Sequence, residues 1–209
     1  MTTAPAVALR GVSAAHGDTR RRPIDLDVDP GSRVWISGQS GVGKTSLLYV
    51  VGALTRAFSG TVSIGGRVVG SAREADLVRR EHVGFVLQDA QLVEHWSVRR
   101  NLATMAGEDR CPDAVGRLSA WGVEVEGRQP RSLSGGERQR VVTAGALAKG
   151  AAVIVADEPT SSLDEAARDA VMAAFLDASQ TGAAVVVSSH DPAWAEWATV
   201  RVRLGGSDA

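Results

Sequence analysis

The sequence has little cysteine, no long apolar run and almost no net charge. Its one cysteine, Cys111, excludes a disulfide within the chain and fits a reducing cytosol. The longest apolar runs, residues 151–156 and 183–187, have the length of buried strands, whereas about 20 apolar residues are needed to cross a bilayer. If the protein works at a membrane, we therefore expect it to do so through partners.

Neither sign of charge prevails, since the formal net charge is −1 at pH 7. No general attraction to nucleic acid or to a membrane surface is indicated, and we expect no nucleic-acid partner. Residues 1–11 lack the basic start and the apolar middle of a secretion signal. The 209 residues, 44% apolar and 22% charged, are instead typical of one folded soluble domain.

Two patterns predict a small antiparallel sheet. In residues 24–28, apolar side chains alternate with aspartates, which indicates a strand with one wet face. The segment TVSIGGRVV, residues 61–69, predicts two strands joined at Gly65–Gly66. We expect an antiparallel β patch at about residues 1–30 and 58–70.

Continuous apolar runs predict the central strands of a sheet that is covered on both faces. Residues 97–121 have helical spacing and no strand pattern, so we expect a helical lobe at about residues 92–140. The predicted fold is a single domain, residues 1–209, in which a mixed α/β core carries the β patch and the helical lobe. The predicted central strands are Arg33–Ser37, Val83–Leu87, Ala152–Ala156 and Ala183–Ser188.

The segment GQSGVGKT, residues 38–45, matches the phosphate-binding pattern GxxxxGK(S/T) in full. It follows an apolar strand and leads into a helical run, which is the context that the pattern requires. We expect Lys44 to reach the outer phosphates and the Thr45 hydroxyl to bind Mg²⁺; the alternative is a chance glycine-rich turn. The predicted nucleotide-binding residues are Gly38, Gln39, Ser40, Gly41, Val42, Gly43, Lys44, Thr45 and Ser46.

Two carboxylates, Asp157 and Glu158, follow an apolar run in AVIVADEPT. A carboxylate at the end of a buried strand is poorly solvated unless it meets a cation, and beside a phosphate loop that cation is Mg²⁺. We expect Asp157 to hold the metal and Glu158 to orient or deprotonate the attacking water. The alternative is an acidic loop that caps a strand.

Two more polar residues follow apolar strands. His190 comes after a strand that we expect beside the one ending at Glu158, so it can contact a γ-phosphate; a lone histidine is otherwise a structural residue. Gln88 ends the strand VGFVL, where a neutral amide can contact Mg²⁺ or the attacking water. With Lys44 and Glu158, these two complete the candidate catalytic residues.

A second glycine-containing turn, RSLSGGERQRVV at residues 131–142, also opens a helix but contains no lysine. Ser134, Gly135 and Gly136 offer a hydroxyl and helix-start N–H groups to an anion. In order and spacing, GQSGVGKT, Gln88, LSGGERQR, VIVADE, SSLD and SSHD resemble the ATP-binding subunit of an ABC (ATP-binding cassette) transporter. The resemblance covers nearly the whole chain.

The resemblance implies a P-loop NTPase core of the RecA-like type, with an antiparallel β subdomain and an α-helical subdomain. It also implies that two ATP-binding subunits, here of one kind, pair head to tail. Each ATP would lie between the phosphate loop of one subunit and the signature, residues 133–137, of the other. The residues assigned to the nucleotide on this basis are Ser134, Gly135, Gly136, Glu137 and, in a loop that crosses the dimer interface, Asp164.

The resemblance further implies ATP and Mg²⁺ as cofactors, ATP hydrolysis, and transmembrane permease subunits in separate chains, with this chain on the cytoplasmic face of the membrane. A groove at residues 89–99, which include Trp96, would receive a short permease helix. Packing of Trp96 inside the helical lobe is an equal alternative.

The segments ADEPTSSLD and VGFVLQDAQLVEHWSVRRNL resemble the branch of lipoprotein-releasing, macrolide-exporting and cell-division ATPases. We therefore expect an exporter or a mechanotransmission system. An importer ATPase and a non-transport ABC ATPase are the alternatives, although the latter usually has tandem cassettes, coiled coils or zinc motifs. A kinase or GTPase has no need of LSGGE.

Three further features of the sequence lie outside these motifs. His16 stands where the family usually has an aromatic residue that stacks on adenine; it either stacks or is a plain loop residue. Gly145 stands where the family typically has an arginine, and a mid-helix glycine costs about 1 kcal/mol relative to alanine. The run Arg20–Arg22 is typical of a solvated loop, with phosphate or headgroup contact as the alternative.

Overall fold

A computed structural model of the chain describes residues 4–14 and 23–205. His16 and Arg20–Arg22 lie outside the described residues, so their assignments stay predictions. No helix in this part of the chain has both the length and the apolar character needed to cross a membrane.

The described residues form two sheets with helices around them. The strands are β1 Val7–Ser13, β2 Ile24–Val28, β3 Arg33–Gly38, β4 Ser59–Ile64, β5 Arg67–Val68, β6 Val83–Val86, β7 Val153–Asp157, β8 Ala184–Ser188 and β9 Val200–Leu204. The α-helices are α1 Lys44–Val51, α2 Ala72–His82, α3 Val98–Ala106, α4 Cys111–Ala120, α5 Gly135–Ala148, α6 Glu165–Gln180 and α7 Ala193–Trp197, with a 3₁₀ turn at Pro130–Ser132.

The first sheet is antiparallel, in the order β2-β1-β4-β5, and it confirms the strands predicted near the amino terminus. β4 and β5 are joined by Gly65 and Gly66, whose φ angles are 57° and 76°. A two-residue hairpin turn with both φ angles positive suits glycine, because other residues are strained there. The GG dipeptide therefore sets the register of this hairpin.

The second sheet is parallel, in the order β6-β7-β8-β3-β9, and it contains all four predicted central strands. Every residue of β7 and β8 is buried, as expected for strands that are covered on both faces. The carboxyl ends of parallel strands meet at one edge of the sheet. The loops after β3, β6, β7 and β8 therefore converge, and these loops carry the predicted catalytic residues.

Several elements were not predicted, among them β9 and α2. β9 lies on the edge of the parallel sheet beside β3, and its VRVRL sequence alternates between exposed and half-buried residues. α2 begins with a capping box, in which Ser71 and Glu74 each bond the other's backbone N–H. Neither element contributes a residue to the predicted site.

Helix α5 connects two parts of the core. Val142 and Ala146 pack into the cluster under the parallel sheet, whereas Val141 and Ala144 pack against α3 and α4. The helix therefore joins the helical region to the sheet. The predicted lobe boundary near residue 140 falls within this continuous helix.

The glycine at position 145 has a packing role. Gly145 lies in α5 where α3 crosses it, and a Cβ there would be 2.5 Å from Met105 Cε and 3.2 Å from Met105 Cβ. A larger side chain at this position therefore requires the Met105 side chain to move and α3 and α5 to separate slightly, because the Met105 Cβ is also close. The missing side chain permits close contact between the two helices.

We expect Gly145→Ala to lower the free energy of unfolding by about 1 kcal/mol, because overpacking outweighs the gain in helix propensity. Gly116 is a matched control, since it also lies inside a helix but nothing lies within 4 Å of its Cβ position. Gly116→Ala should raise the free energy of unfolding by up to about 1 kcal/mol. Chemical denaturation checks both values, and equal stabilisation by the two alanines would contradict the packing role.

Candidate functional site

The phosphate loop connects β3 to α1. Gly38, Gly41 and Gly43 have φ angles of 150°, 75° and 92°, which other residues rarely adopt. A Cβ on Gly38 would also lie 2.5 Å from the carbonyl oxygen of Leu204 in β9. These glycines let the loop curl over the start of α1, where the first backbone N–H groups are unpaired within the helix.

The Lys44 ammonium group lies across its own loop. Its Nζ donates to the carbonyl oxygens of Gly38 at 2.9 Å and Gln39 at 3.2 Å. These contacts hold the ammonium group beside the phosphate loop. The oxygens of a bound anion can take the place of the two carbonyl oxygens.

A cleft of about 410 Å³ lies beside the phosphate loop. It brings together most of the residues that the sequence predicted for nucleotide, metal and catalysis. None of the signature residues lines it. The lining residues are Ser40, Gly41, Gly43, Lys44, Thr45, Ser46, Gln88, Asp157, Glu158, Ser161 and His190.

Asp157, at the end of β7, is only 1% exposed. The Ser188 hydroxyl donates to its Oδ1, while Oδ2 is buried and has no hydrogen-bond partner among the described residues. An unpaired buried carboxylate oxygen is costly unless it meets a cation. With the Thr45 hydroxyl lining the same cleft, this donor set fits Mg²⁺, which binds one or two carboxylates together with substrate phosphates.

Glu158 follows Asp157 and has a positive φ of 45°. Its Oε1 lies 2.9 Å from His190 Nδ1 and accepts from the His190 backbone N–H at 3.1 Å. Its Oε2 accepts from the Ser189 hydroxyl at 2.9 Å. β7 and β8 are adjacent parallel strands, which confirms the prediction that they lie side by side. This pairing brings His190 into direct contact with Glu158.

Sequence reasoning missed Ser188 and Ser189, which hold the two carboxylates. The doublet SS before His190 is visible in the sequence, but serines are common near strand ends and predict no partner. Only the pairing of Asp157 with Ser188 in the sheet reveals which carboxylate each serine contacts.

Gln88 lies at the carboxyl end of the parallel sheet, just past β6, and lines two clefts. The second cleft, of about 580 Å³, lies between the loop after β6 and the start of α5. It is bridged by Arg138, whose guanidinium donates to both oxygens of Glu94 at 2.6 and 3.1 Å. Trp96 is not among its lining residues; its half-buried ring lies under the exposed Arg100, 4.3 Å from the guanidinium carbon to the ring centroid. Both interpretations of Trp96 stay predictions.

The signature lies at the start of α5. Ser134 is the N-cap residue, and its hydroxyl accepts from the Glu137 N–H at 3.2 Å. Ser134 and Gly135 are exposed, and a Cβ on Gly135 would meet nothing within 4 Å, whereas one on Gly136 would lie 3.0 Å from the Ser162 carbonyl oxygen. The signature is therefore accessible at the start of α5 and lies outside the cleft beside the phosphate loop, while Gly135 lines the second cleft.

Glu137 completes a capping box and an ion pair. Its Oε2 accepts from the Ser134 N–H at 2.7 Å, and its Oε1 lies 2.6 Å from Arg128 Nη1. The hydrogen bond from Arg128, followed by that from the Ser134 backbone, lowers the pKa of Glu137 to about 2. The Glu137 carboxylate thus fixes the signature turn from within the chain.

Asp164 also has a local partner. It is the N-cap residue of α6, and its Oδ1 accepts from the Ala167 N–H at 2.8 Å. Just upstream, the Ser161 hydroxyl donates to the Glu158 carbonyl oxygen at 3.1 Å. Hydrogen bonds therefore anchor both ends of the loop between Glu158 and α6.

A phosphate loop after the first strand of a parallel sheet, with an acidic pair after a neighbouring strand, defines a P-loop NTPase. The family model described as ABC transporter matches residues 22–161. The chain belongs to this family and contains its ATP-binding cassette.

Individual relatives agree with the family match. A macrolide export ATP-binding/permease protein of Rhodopseudomonas palustris is 38% identical over 81% of this chain. The lipoprotein-releasing system ATP-binding protein of Bacteroides thetaiotaomicron is 35% identical over 88% of this chain. The chain spans 27% of the length of the first relative and 90% of the second.

The fold also matches solved structures. A dimeric post-hydrolysis state of the ATP-binding cassette MJ0796, bound to ADP and Pi, superimposes with a TM-score of 0.84 and 29% identity. The match covers 95% of this chain and 94% of that one. Another dimeric structure of the same cassette matches with the same TM-score at 28% identity.

The Glu137 carboxylate should stabilise the fold in a pH-dependent way. Because the pKa of Glu137 falls from 4.5 to about 2 on folding, its contribution is complete above pH 4.5 and is lost as the pH falls towards 2. Glu137→Gln should lower the free energy of unfolding at pH 7 by about 2 kcal/mol. Urea denaturation between pH 7 and pH 3 should show this difference shrinking below pH 4.5.

Glu124 is exposed and provides the control, because Glu124→Gln should leave stability unchanged over this pH range. A Glu137→Gln difference that stays constant down to pH 3 would contradict the assigned pKa.

Proposed function

We propose that this chain binds ATP with Mg²⁺ and hydrolyses it as a head-to-tail dimer that drives a transmembrane permease carried on separate chains. One observation supports the dimer above all others. The cleft that contains the phosphate loop and both carboxylates has no signature residue in its lining, while the signature is exposed at the start of α5. Each copy carries the two halves of a site that it cannot close alone.

In the ground state of this reaction, the backbone N–H groups at the start of α1 bind the phosphates. Lys44 Nζ exchanges its two carbonyl contacts for oxygens of the outer phosphates. Thr45, Asp157 and Gln88 are the candidates to hold Mg²⁺, which when bound neutralises charge on the phosphates. The buried, unpaired Oδ2 of Asp157 is the observation that favours Asp157 as a ligand.

Hydrolysis then requires a water aligned with the γ-phosphate. Glu158 is the residue that orients this water or accepts its proton, since its carboxylate lines the cleft and a carboxylate is a suitable base. Because His190 Nδ1 faces Glu158 Oε1 at 2.9 Å, its Nε2 is left to contact the γ-phosphate. His190 thus links the base to the group that is transferred.

The signature of the second copy closes the site. The Ser134 hydroxyl and the N–H groups of Gly135 and Gly136 bind the γ-phosphate from the side opposite to Lys44. The dimeric cassette that matches this chain was solved with ADP and Pi, which supports a nucleotide-dependent dimer here. ATP holds the subunits together, and hydrolysis releases them.

The names of the relatives support the permease partner and the membrane location. One relative is named an ATP-binding/permease protein of macrolide export, and the other an ATP-binding protein of a lipoprotein-releasing system. The name of the second relative describes an ATP-binding protein alone, which supports a permease on separate chains. We place the chain on the cytoplasmic face of the membrane and favour export, with an importer ATPase as the alternative.

Lys44→Ala should abolish productive ATP binding, because it removes the ammonium group that contacts the outer phosphates. Equilibrium dialysis with ATP and Mg²⁺ should show at least a tenfold rise in Kd, and phosphate release should fall to background. Wild-type phosphate release by this variant would refute the role of Lys44.

Glu158→Gln should bind ATP but hydrolyse it at least 100-fold more slowly, so that the ATP-bound dimer accumulates. Gel filtration with ATP and Mg²⁺ should show a dimer, and without ATP a monomer. Adding Ser134→Arg to this variant should remove the dimer while the Kd for ATP of the monomer stays within about threefold. Loss of ATP binding in the double variant would show that Ser134 acts within its own chain.

A further inference from the structure

The register of β7 and β8 matches two serines to two carboxylates. Asp157 stands opposite Ser188 in the sheet, and the Glu158 N–H donates to the Ser188 carbonyl oxygen at 2.9 Å. As a result the Ser188 hydroxyl donates to Asp157 and the next serine, Ser189, donates to Glu158. Ser189 has no role in the function described above.

Ser189 is buried, and both its backbone N–H and its carbonyl oxygen form hydrogen bonds. It is 1% exposed. Its N–H donates to the Ile36 carbonyl oxygen at 3.4 Å, and its own carbonyl oxygen accepts from the Trp35 indole N–H at 3.0 Å. Both contacts tie Ser189 to β3, the strand that leads into the phosphate loop.

The direction of the Ser189 hydroxyl follows from its neighbours. The Asp191 backbone N–H donates to Ser189 Oγ at 3.1 Å, so this oxygen acts as an acceptor on that side. The hydroxyl hydrogen is then directed to Glu158 Oε2, 2.9 Å away. An ionised carboxylate accepts such a bond and cannot donate one.

The two side chains that hold Glu158 differ in exposure. The His190 side chain is 75% exposed and lines the cleft, where it faces substrate. Ser189 is buried and is not among the cleft-lining residues. Ser189 therefore contacts the Glu158 carboxylate from its buried side, away from the reacting atoms, whereas His190 contacts it from the cleft.

We propose that Ser189 is a positioning residue for Glu158: its buried hydroxyl fixes the carboxylate from the protein side while His190 faces the nucleotide. This inference rests on the proposed role of Glu158 in hydrolysis. Without the hydroxyl, the contacts of the Glu158 carboxylate within the described residues are those to His190. The carboxylate then occupies a wider range of orientations, and fewer of them align the water.

The test is steady-state ATP hydrolysis by the full chain. Ser189→Ala should lower kcat about tenfold, as expected for loss of a hydrogen bond to a charged group, while KM for ATP changes less than twofold. Ser189→Thr keeps the hydroxyl and should retain at least half of the wild-type kcat.

A double-variant cycle separates positioning from general damage. In the Glu158→Gln background, Ser189→Ala should lower the residual rate less than twofold, since the carboxylate that it positions is gone. Ser179 is the matched control: it is a buried serine like Ser189, but its hydroxyl donates to the backbone carbonyl oxygen of Leu176 at 2.7 Å and not to a carboxylate. Ser179→Ala should leave kcat unchanged.

Two outcomes overturn the assignment while leaving the proposed function intact. One is wild-type kcat in Ser189→Ala when Glu158→Gln is inactive. The other is an equal tenfold loss from Ser189→Ala with and without the Glu158 carboxylate. By contrast, a wild-type rate in Glu158→Gln itself would overturn the proposed function and the assignment of Ser189 with it.

Discussion

The parallel alignment of β3, β6, β7 and β8 is the constraint on which the site depends. Parallel strands bring their carboxyl ends to one edge, so four loops that are distant in sequence meet there. Hydrogen bonds across β7 and β8 set the register, which places Asp157 opposite Ser188. A slip of one residue would send the carboxylates to the wrong faces and separate Glu158 from Ser189 and His190.

The same geometry supports the proposed pairing with a second copy. The cleft has a cationic loop, an acidic pair and a histidine, and no signature residue is among the residues that line it. The signature has the complementary groups, a serine hydroxyl and free helix-start N–H groups, with no cation of its own. The ion pair between Arg128 and Glu137 anchors the signature turn from inside the chain, which fixes the orientation of those groups for the proposed partner.

Local patterns in the sequence were enough for much of the fold and for the candidate site. The phosphate loop, the GG hairpin and the continuous apolar strands were predictable because each depends on residues that are adjacent in the chain. β9 was missed because its arginines interrupt the apolar run, as an edge strand allows. The purpose of Gly145 and the partner of Ser189 were not predictable, because Met105 and Glu158 reach them only through tertiary packing.

The half-site arrangement is tested most directly by a structure of the Glu158→Gln chain with ATP and Mg²⁺. We predict that Ser134 Oγ of a second copy lies about 3 Å from a γ-phosphate oxygen, a hydrogen-bond distance, with Lys44 of the first copy on the opposite side. A structure in which ATP fills the phosphate loops while the signature of every neighbouring copy stays in solvent would contradict it.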